Sequence, residues 1–437
     1  RNAEDASLYH LSFISILNED KINFGLSNFH SRFGHISIIQ YLSAVSFIPL
    51  LSKYIIISQN NFIFCLITTI LVKKFYVNLI RNEIYNSCIN FLFLTFICLK
   101  IAKFSDWGND LFPVIATFYI VSYLIDFLNR DYEKENFNSI YLYLLLIITF
   151  IFFSKISYVV IYSLILLLFF KEKNIYKYFN YKILLTVTIL ILVLIIRNFI
   201  STSCIIYPLP FSCIETLWYP DEISKIFLEV KSWSMGISDV KNKIDPEIFI
   251  KDFNWVYTWL NNHFYKILEK IFSFLFFAIF LIFLINYIFK FEKKIHQIPK
   301  FHYFLLFLFF FYVLFWFISA PLFRYGAGLI ITLIILLVSP FFSRFFNVGS
   351  NKKKIYNFTI IIVVLTISVK NIIRITNNSE NNLIPKTFNE KKLNSITING
   401  FEIFYEDGKE CFYPKYSPCI KHQPNHIKNI VNFGKYK

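Results

Sequence analysis

Apolar runs of membrane-spanning length recur in this sequence from Tyr54 to about Ile373, and each is bounded by Lys, Arg or Asn. Hydrophobic residues fill 56% of the 437 positions, and only 10 residues are Gly, so the core of one soluble domain cannot bury them all. The sequence therefore predicts an all-α polytopic membrane protein with about ten transmembrane helices. The predicted spans lie near 54–72, 84–101, 111–128, 140–153, 156–170, 183–196, 271–289, 303–320, 326–342 and 356–373.

The segment 140–170 has two interpretations. A single helix of 31 residues would be about 46 Å long and would place the Lys-rich loop 171–182 outside the cell. We prefer two short spans that meet at Ser154 and Lys155.

The start of the chain is polar from Arg1 to Arg32, so we expect an initiating helix or signal-like segment before Arg1. The following run, Phe33 to Leu51, is apolar enough to span, but counting it as a span would reverse the orientation of every later loop. We expect an amphipathic helix along the outer interface, with Arg32 and His35 at its polar start.

The positions of Lys and Arg predict the orientation. A net charge of +16 is compatible with nucleic acid, but these residues gather in alternate loops, which indicates cytoplasmic loops and no nucleic-acid partner. The loops contain Lys73, Lys74 and Arg81; Arg130 and Lys134; Lys171, Lys173, Lys177 and Lys182; Lys290, Lys293, Lys294 and Lys300; and Arg344, Lys352, Lys353 and Lys354. A transmembrane domain, 54–373, then carries a non-cytoplasmic loop, 197–270, between an outer loop, 1–53, and a small outer segment, 374–437.

Cysteine, tryptophan and turn residues distinguish the outer segments. Disulfides Cys204–Cys213 and Cys411–Cys419 are predicted, the alternative being four unpaired thiols. All six Trp fall on the outer side, either as an aromatic belt or as surfaces that stack on sugars. In the C-terminal segment, Asn399-Gly400 separates two alternating runs, which predicts a small β-hairpin.

Glu4 and Asp5 are the first catalytic candidates. They precede His10 in an outer loop, where a carboxylate is suited to remove a proton from an acceptor hydroxyl. The alternative is that they cap an interfacial helix or lie in water. His10, His30 and Arg32 are candidates for substrate binding in the same loop, or for interface hydrogen bonds, and their spacing matches no metal-ligand pattern.

Asp110 is the second candidate, in an outer turn that also contains Asp106. Its carboxylate is suited to bind a divalent cation or to orient an acceptor. Capping of the next helix by Asn109 or Asp110, with Pro113 in the first turn, is the alternative.

Arg324 and Tyr325 occupy a tight outer turn between two predicted spans, and Lys155 has a similar position. A guanidinium suits phosphate oxygens because it donates in a fork and keeps its charge. Snorkelling to lipid headgroups is the alternative for both cations. The sequence contains no P-loop, dinucleotide fingerprint, nucleophile elbow or paired CxxC, which argues against an ATPase, an oxidoreductase and a serine hydrolase.

The layout resembles the C-type (GT-C) superfamily of integral-membrane glycosyltransferases. The shared features are acidic residues in the first outer loop (Glu4-Asp5), an interfacial segment, a later outer acidic residue (Asp110) and a late Arg324-Tyr325 pair. Many members have Pro-Pro or His-Pro-Pro before the interfacial helix, whereas this chain has Arg32-Phe33-Gly34-His35.

A closer resemblance is to an uncharacterised family of bacterial multi-pass proteins that is grouped near these transferases. Five short motifs carry it: Tyr9-His10-Leu11, Arg32-Phe33-Gly34-His35, Gly108-Asn109-Asp110, Cys204-Ile205-Ile206-Tyr207-Pro208 and Ala320-Pro321-Leu322-Phe323-Arg324-Tyr325-Gly326. The resemblance implies a bacterial inner membrane protein with a non-cytoplasmic functional face.

The resemblance to the transferases also implies a reaction. Asp5 or Glu4 would deprotonate a saccharide or lipid acceptor, which attacks a sugar carried on polyprenyl phosphate. Arg324, with Lys155 or a divalent cation at Asp110, would stabilise the leaving phosphate. The rival functions are a transporter or flippase of a lipid-linked or anionic substrate, and an envelope polysaccharide polymerase or ligase.

Overall fold

The structure is a computed structural model, and only part of the chain is described. The described residues are 10–18, 23–28, 31–35, 37–45, 58–100, 109–129, 137–170, 181–240, 244–289, 298–345, 352–377, 394–398, 401–405, 419–420 and 431–432.

The described part of the chain is predominantly helical. Its α-helices are α1 (Leu11–Asn18), α2 (Ile38–Val45), α3 (Ser58–Ile80), α4 (Ile84–Lys100), α5 (Leu111–Asn129), α6 (Phe137–Ser154), α7 (Tyr181–Thr202), α8 (Ile223–Ser234), α9 (Pro246–Ile250), α10 (Trp255–Trp259), α11 (Tyr265–Phe289), α12 (Phe301–Ser319), α13 (Phe323–Ser343) and α14 (Lys352–Asn377). Its 3-10 helices are Leu26–Asn28, Ser31–Gly34, Ile156–Phe170, Pro210–Ser212, Ile237–Asp239 and Lys251–Phe253, and a π-helical turn, Leu260–Phe264, joins α10 to α11.

Six of these helices are long and apolar enough to cross a membrane. They are Gln59–Ile80, Leu111–Asn129, Leu184–Thr202, Trp255–Phe289, Phe301–Ser319 and Phe323–Ser343. Backbone polar groups in lipid need internal partners, which helices supply. The chain is therefore a membrane protein of the helical, polytopic class, as its apolar runs predicted.

The other four predicted spans also coincide with helices. Three are shorter apolar helices, Ile84–Leu99, Ser139–Ser154 and Ile156–Leu168, and the fourth is α14. The helix is interrupted at Lys155, as the two-span interpretation of 140–170 requires. Because a 3-10 helix rises about 2.0 Å per residue, the 15 residues of Ile156–Phe170 extend about 30 Å.

Helices α4, α5 and α13 form the centre of the bundle. In α5, 83% of the most apolar window is buried, whereas the corresponding fraction is 17% in α7 and 28% in α12. Helix α13 packs against both α4 and α5, while α7 contacts α6 at the periphery. The central helices therefore fix the positions of the loops at their ends.

Several helix ends differ from the sequence prediction. Lys182 lies in α7, and Lys352, Lys353 and Lys354 lie in α14, rather than in loops. Lys73 and Lys74 lie inside α3 rather than in a loop, because α3 continues to Ile80. Lys74 Nζ lies 2.7 Å from Asp126 Oδ2. Asn78 Nδ2 donates to Asp126 Oδ1 at 2.9 Å, so this buried carboxylate anchors the longer helix. Helix α7 likewise runs to Thr202, past the predicted end of its span at 196.

The predicted interfacial helix is divided in the structure. A 3-10 helix, Ser31–Gly34, precedes α2, and α2 has only eight residues up to Val45. Gln40 Nε2 donates to His10 Nδ1 at 2.8 Å, which fastens α2 to the start of α1. The rest of the predicted interfacial segment, residues 46–51, lies outside the described part of the chain.

Short strands accompany the bundle. The strand β2 (Asn394–Ile398) pairs antiparallel with β3 (Phe401–Tyr405), and Ile398 opposes Phe401, as the predicted hairpin requires. The other strands are β1 (Asn23–Phe24), β4 (Cys419–Ile420) and β5 (Val431–Asn432). Strand β4 adds parallel to β3, and β1 pairs antiparallel with β5.

Candidate functional site

Asp110 and Lys155 form an ion pair at one end of the bundle. Asp110 directly precedes α5, and Lys155 occupies the break after α6, so two helix termini place the groups together. Lys155 Nζ donates to Asp110 Oδ1, and the side chains are 15% and 31% exposed, respectively. Burial lowers the pKa of the Lys155 ammonium, and the Asp110 carboxylate opposes this shift. The Lys155 ammonium is therefore paired within the protein.

Tyr325 connects Lys155 with Arg324. Lys155 Nζ lies 3.9 Å from the centroid of the Tyr325 ring, and Arg324 Cζ lies 4.9 Å from it. The Arg324 guanidinium also donates to the Tyr325 hydroxyl at 2.9 Å. The face of an aromatic ring attracts a cation. Tyr325 therefore stabilises the positive charges of Lys155 and Arg324, which lie close to each other.

The Trp233 ring links a third cation, Arg32, to this cluster. Arg324 Cζ lies 4.9 Å from the Trp233 ring, and Arg32 Cζ lies 5.7 Å from the same ring. The indole is 38% exposed, so the arrangement is open to its surroundings. Among the described residues, Lys155, Arg324 and Arg32 are thus linked to one another through the Tyr325 and Trp233 rings, with Asp110 beside Lys155. Ammonium and guanidinium groups gathered in this way are suited to bind an anion.

Packing of two sequence motifs positions Arg32. Gly34 lies against the Tyr207 ring, with which any Cβ at position 34 would overlap. The His35 ring makes an edge contact with Tyr207 at 5.1 Å between centroids. A disulfide joins Cys204 to Cys213, one of the two predicted pairs, and encloses Tyr207 in the closed loop. Burial raises the pKa of the Tyr207 hydroxyl.

Two buried tryptophans hold the turn that carries Arg324. Trp259 Nε1 donates to the carbonyl oxygen of Pro321 at 2.7 Å. Trp316 Nε1 donates to that of Leu322 at 3.0 Å, and its ring leaves no room for a Cβ at Gly326. These contacts fix the turn from both sides and thereby orient Arg324 and Tyr325.

The tryptophans divide between two roles that the sequence did not separate. Trp255, Trp259 and Trp316 are 1%, 5% and 5% exposed, so they are core residues and not members of an aromatic belt. Trp218 donates to the carbonyl oxygen of Phe199 at 3.0 Å. Trp233 alone among these five contacts the cation cluster. Trp107 lies outside the described residues.

Unpartnered polar atoms flank the ion pair in sequence. Asn109 Oδ1 and Ser157 Oγ are buried and have no hydrogen-bond partner. Asn109 Oδ1 therefore does not cap α5, and the Asp110 carboxylate is directed at Lys155. The Asn109 side-chain oxygen and the Ser157 hydroxyl can therefore form hydrogen bonds with a polar ligand.

Of the remaining predicted residues, His10 is described and lies apart from this cluster, whereas the placement of several others is not described. Glu4, Asp5, His30 and Cys411 lie outside the described residues, as does the side chain of Cys419. His10 is buried between α1 and α2, where it accepts a hydrogen bond from Gln40, so its position indicates a packing role.

A divalent cation at Asp110 does not fit the described residues. No group of three or more His, Cys, Asp or Glu lies together in the part of the chain that the structure describes. The single carboxylate already faces an ammonium, whereas Mg²⁺ and Ca²⁺ require about six oxygen ligands. We therefore derive no step through a metal.

The bundle and this basic, aromatic cluster define a polytopic helical membrane protein with an anion-suited site at one end. A family model described as Domain of unknown function (DUF8201) matches residues 3–331. The chain belongs to that family, and the match includes Asp110, Lys155 and Arg324. No curated protein matches the chain, and no solved structure matches it.

Proposed function

We propose that this protein is a membrane glycosyltransferase that transfers a sugar from a polyprenyl-phosphate donor to a saccharide or lipid acceptor of the cell envelope. The observation that carries the proposal is the convergence of Lys155, Arg324 and Arg32 on two aromatic rings, Tyr325 and Trp233, with Asp110 beside Lys155. A phosphate that is leaving an anomeric carbon gains negative charge, which cations at such a site stabilise.

The proposed reaction is one inverting displacement. The acceptor hydroxyl oxygen forms a bond to the anomeric carbon while the bond from that carbon to the phosphate oxygen breaks. The electron pair of the broken bond remains on the phosphate, beside Arg324 and Lys155. The acceptor proton passes to Asp5 or Glu4, the carboxylates of the first loop. Binding of both substrates at one membrane surface supplies their orientation.

The proposed architecture is GT-C-like, with all ten predicted spans crossing a bacterial inner membrane. The 3-10 helix Ile156–Phe170 is long enough for this role, and α14 has 26 residues. With the Lys-rich loops in the cytoplasm, the cluster faces the opposite side. Sugar transfer from a lipid carrier would then take place at the outer leaflet.

The location of the charged groups favours a transferase over a transporter or flippase. A transporter site is expected near the bilayer midplane, often at broken helices. Asp110 precedes α5 by one residue, and Arg324 is the second residue of α13, so both belong to helix ends. The Lys74–Asp126 pair belongs to the other end of α5.

Binding of the donor carrier is the first test. Native mass spectrometry of the purified protein with polyprenyl monophosphate should give a one-to-one complex. Arg324→Gln should weaken it about tenfold or more, because a charged phosphate contact is lost. Lys225→Gln is the matched control, since Lys225 is an exposed cation paired with Glu222 on α8. Equal binding by both variants would contradict the role of Arg324.

A further inference from the structure

The loop 203–214 is an uncharged unit that follows the end of α7. Its sequence contains no Asp, Glu, Lys, Arg or His, and the first charged residue after it is Glu215. The disulfide Cys204–Cys213 closes it, and Cys204 and Tyr207 form a small core with Ile223. One side of the loop is therefore anchored in the protein.

The other side of the loop is apolar and exposed. Phe211 is 85% exposed, Ile214 is 54% exposed and Ile205 is 39% exposed, and the neighbouring Leu217 is 73% exposed. Several exposed apolar side chains on one braced loop indicate an interaction with an apolar partner rather than with water.

The loop directly follows α7, a helix long and apolar enough to cross a membrane, which itself exposes apolar side chains. Leu185, Ile189, Val193 and Ile196 are 50–57% exposed and recur at helical spacing along α7. From Ile196 to the helix end at Thr202 the rise is about 9 Å, so the loop begins near the membrane surface.

Most backbone N–H groups of the loop have hydrogen-bond partners within the protein, which a lipid environment requires. Ile205 N donates to the Ser212 carbonyl, and Ile214 N donates to the Ser203 carbonyl, both at 2.9 Å. Leu209 N bonds within the loop at 2.9 Å as well. Pro208 and Pro210 have no N–H to satisfy. A segment with few unmet donors enters an apolar phase at low cost.

We propose that the loop 203–214 dips into the lipid headgroup region, with Phe211 reaching the acyl chains. Its partner is the bilayer itself. Since Tyr207 in the same loop packs on Gly34, the lipid contact sets the depth of the segment that carries Arg32. This inference concerns a separate surface and does not depend on the proposed transferase activity.

Photo-crosslinking of the full chain tests the proposal. Benzoylphenylalanine is placed at Phe211, at Ile214 or, as a water-exposed control, at Glu222, whose side chain is 66% exposed. Each protein is reconstituted in vesicles of phosphatidylethanolamine and phosphatidylglycerol, irradiated and analysed by mass spectrometry. Lipid adducts should be several-fold more abundant from positions 211 and 214 than from position 222.

Two results would overturn the inference. One is a lipid adduct yield at positions 211 and 214 no higher than at 222. The other is crosslinking of 211 to a second protein chain in place of lipid, which would make the surface a protein interface. Phe211 is exposed, so its replacement leaves the buried side chains unchanged. The intact disulfide, detected as a linked peptide, verifies the fold of the loop.

Discussion

Lys155 donates a hydrogen bond to Asp110 across 45 residues of sequence. This pair joins the start of α5 to the break after α6, and Tyr325 of α13 covers the ammonium. Three helix termini therefore meet at one ion pair. The cluster depends on tertiary packing, and its parts respond differently to substitution.

Loss of the ammonium should destabilise the fold through the carboxylate left behind. Lys155→Met leaves Asp110 unpaired, and because Asp110 is 31% exposed the expected loss is about 1–2 kcal/mol rather than the larger figure for a fully buried pair. Adding Asp110→Asn should restore most of it. Unfolding in mixed micelles measures both variants. Equal losses in the single and double variants would show that the two groups are not coupled.

The ion pair at the opposite end of α5 provides a matched comparison. Asp126 is 5% exposed, and Lys74, Asn78 and Asn86 all donate to it. Asp126→Asn should therefore cost about 3 kcal/mol of unfolding free energy. Because Asp126 lies about 24 Å along the helix from Asp110, the folded variant should bind polyprenyl monophosphate normally. If the fully folded Asp126→Asn variant bound polyprenyl monophosphate more weakly than the wild type, Asp126 would belong to the binding site.

Contact between Gly34 and Tyr207 should be sensitive to one methyl group. A Cβ at position 34 would overlap the Tyr207 ring, so Gly34→Ala is expected to cost about 1–3 kcal/mol. Tyr207→Leu in the same chain should reduce that cost, since the ring is removed. Thermal unfolding of the two single variants and the double variant measures the coupling, and strict additivity would contradict the contact.

The indole of Trp259 should matter through its N–H group. Trp259→Phe keeps an aromatic ring but leaves the Pro321 carbonyl without this donor, at an expected cost of about 1–2 kcal/mol. Trp233→Phe is the control, because Trp233 is 38% exposed and retains a ring for Arg324 to face. Denaturant unfolding should show a loss for Trp259→Phe and little change for the control.

Local patterns were sufficient for the long apolar helices and the hairpin, and they gave Cys204–Cys213 as one of two candidate disulfides. Apolar runs locate the helices because lipid imposes the same demand on every span. The pairing of Ile398 with Phe401 follows from alternation around Asn399-Gly400. These features depend on neighbouring residues, so one sequence contains enough information.

Partners distant in sequence could not be predicted. The extension of α3 through Lys74 depends on Asp126, which lies 52 residues away. The buried roles of Trp259 and Trp316 depend on carbonyls in the turn that carries Arg324. The positions of the tryptophans in the sequence indicated an aromatic belt or a sugar surface, and neither local pattern reveals a packed core.

Sugar transfer by the purified protein tests the central claim most directly. In vesicles, the protein receives a panel of polyprenyl-phosphate-linked hexoses and pentoses with an envelope lipid extract as acceptor, and labelled product is counted. The account predicts transfer by the wild type, loss of transfer in Asp5→Asn and Arg324→Gln, and retention in Asp126→Asn. Product formation that is unchanged in Asp5→Asn and Arg324→Gln, or its absence in the wild type across the panel, would contradict the proposed function.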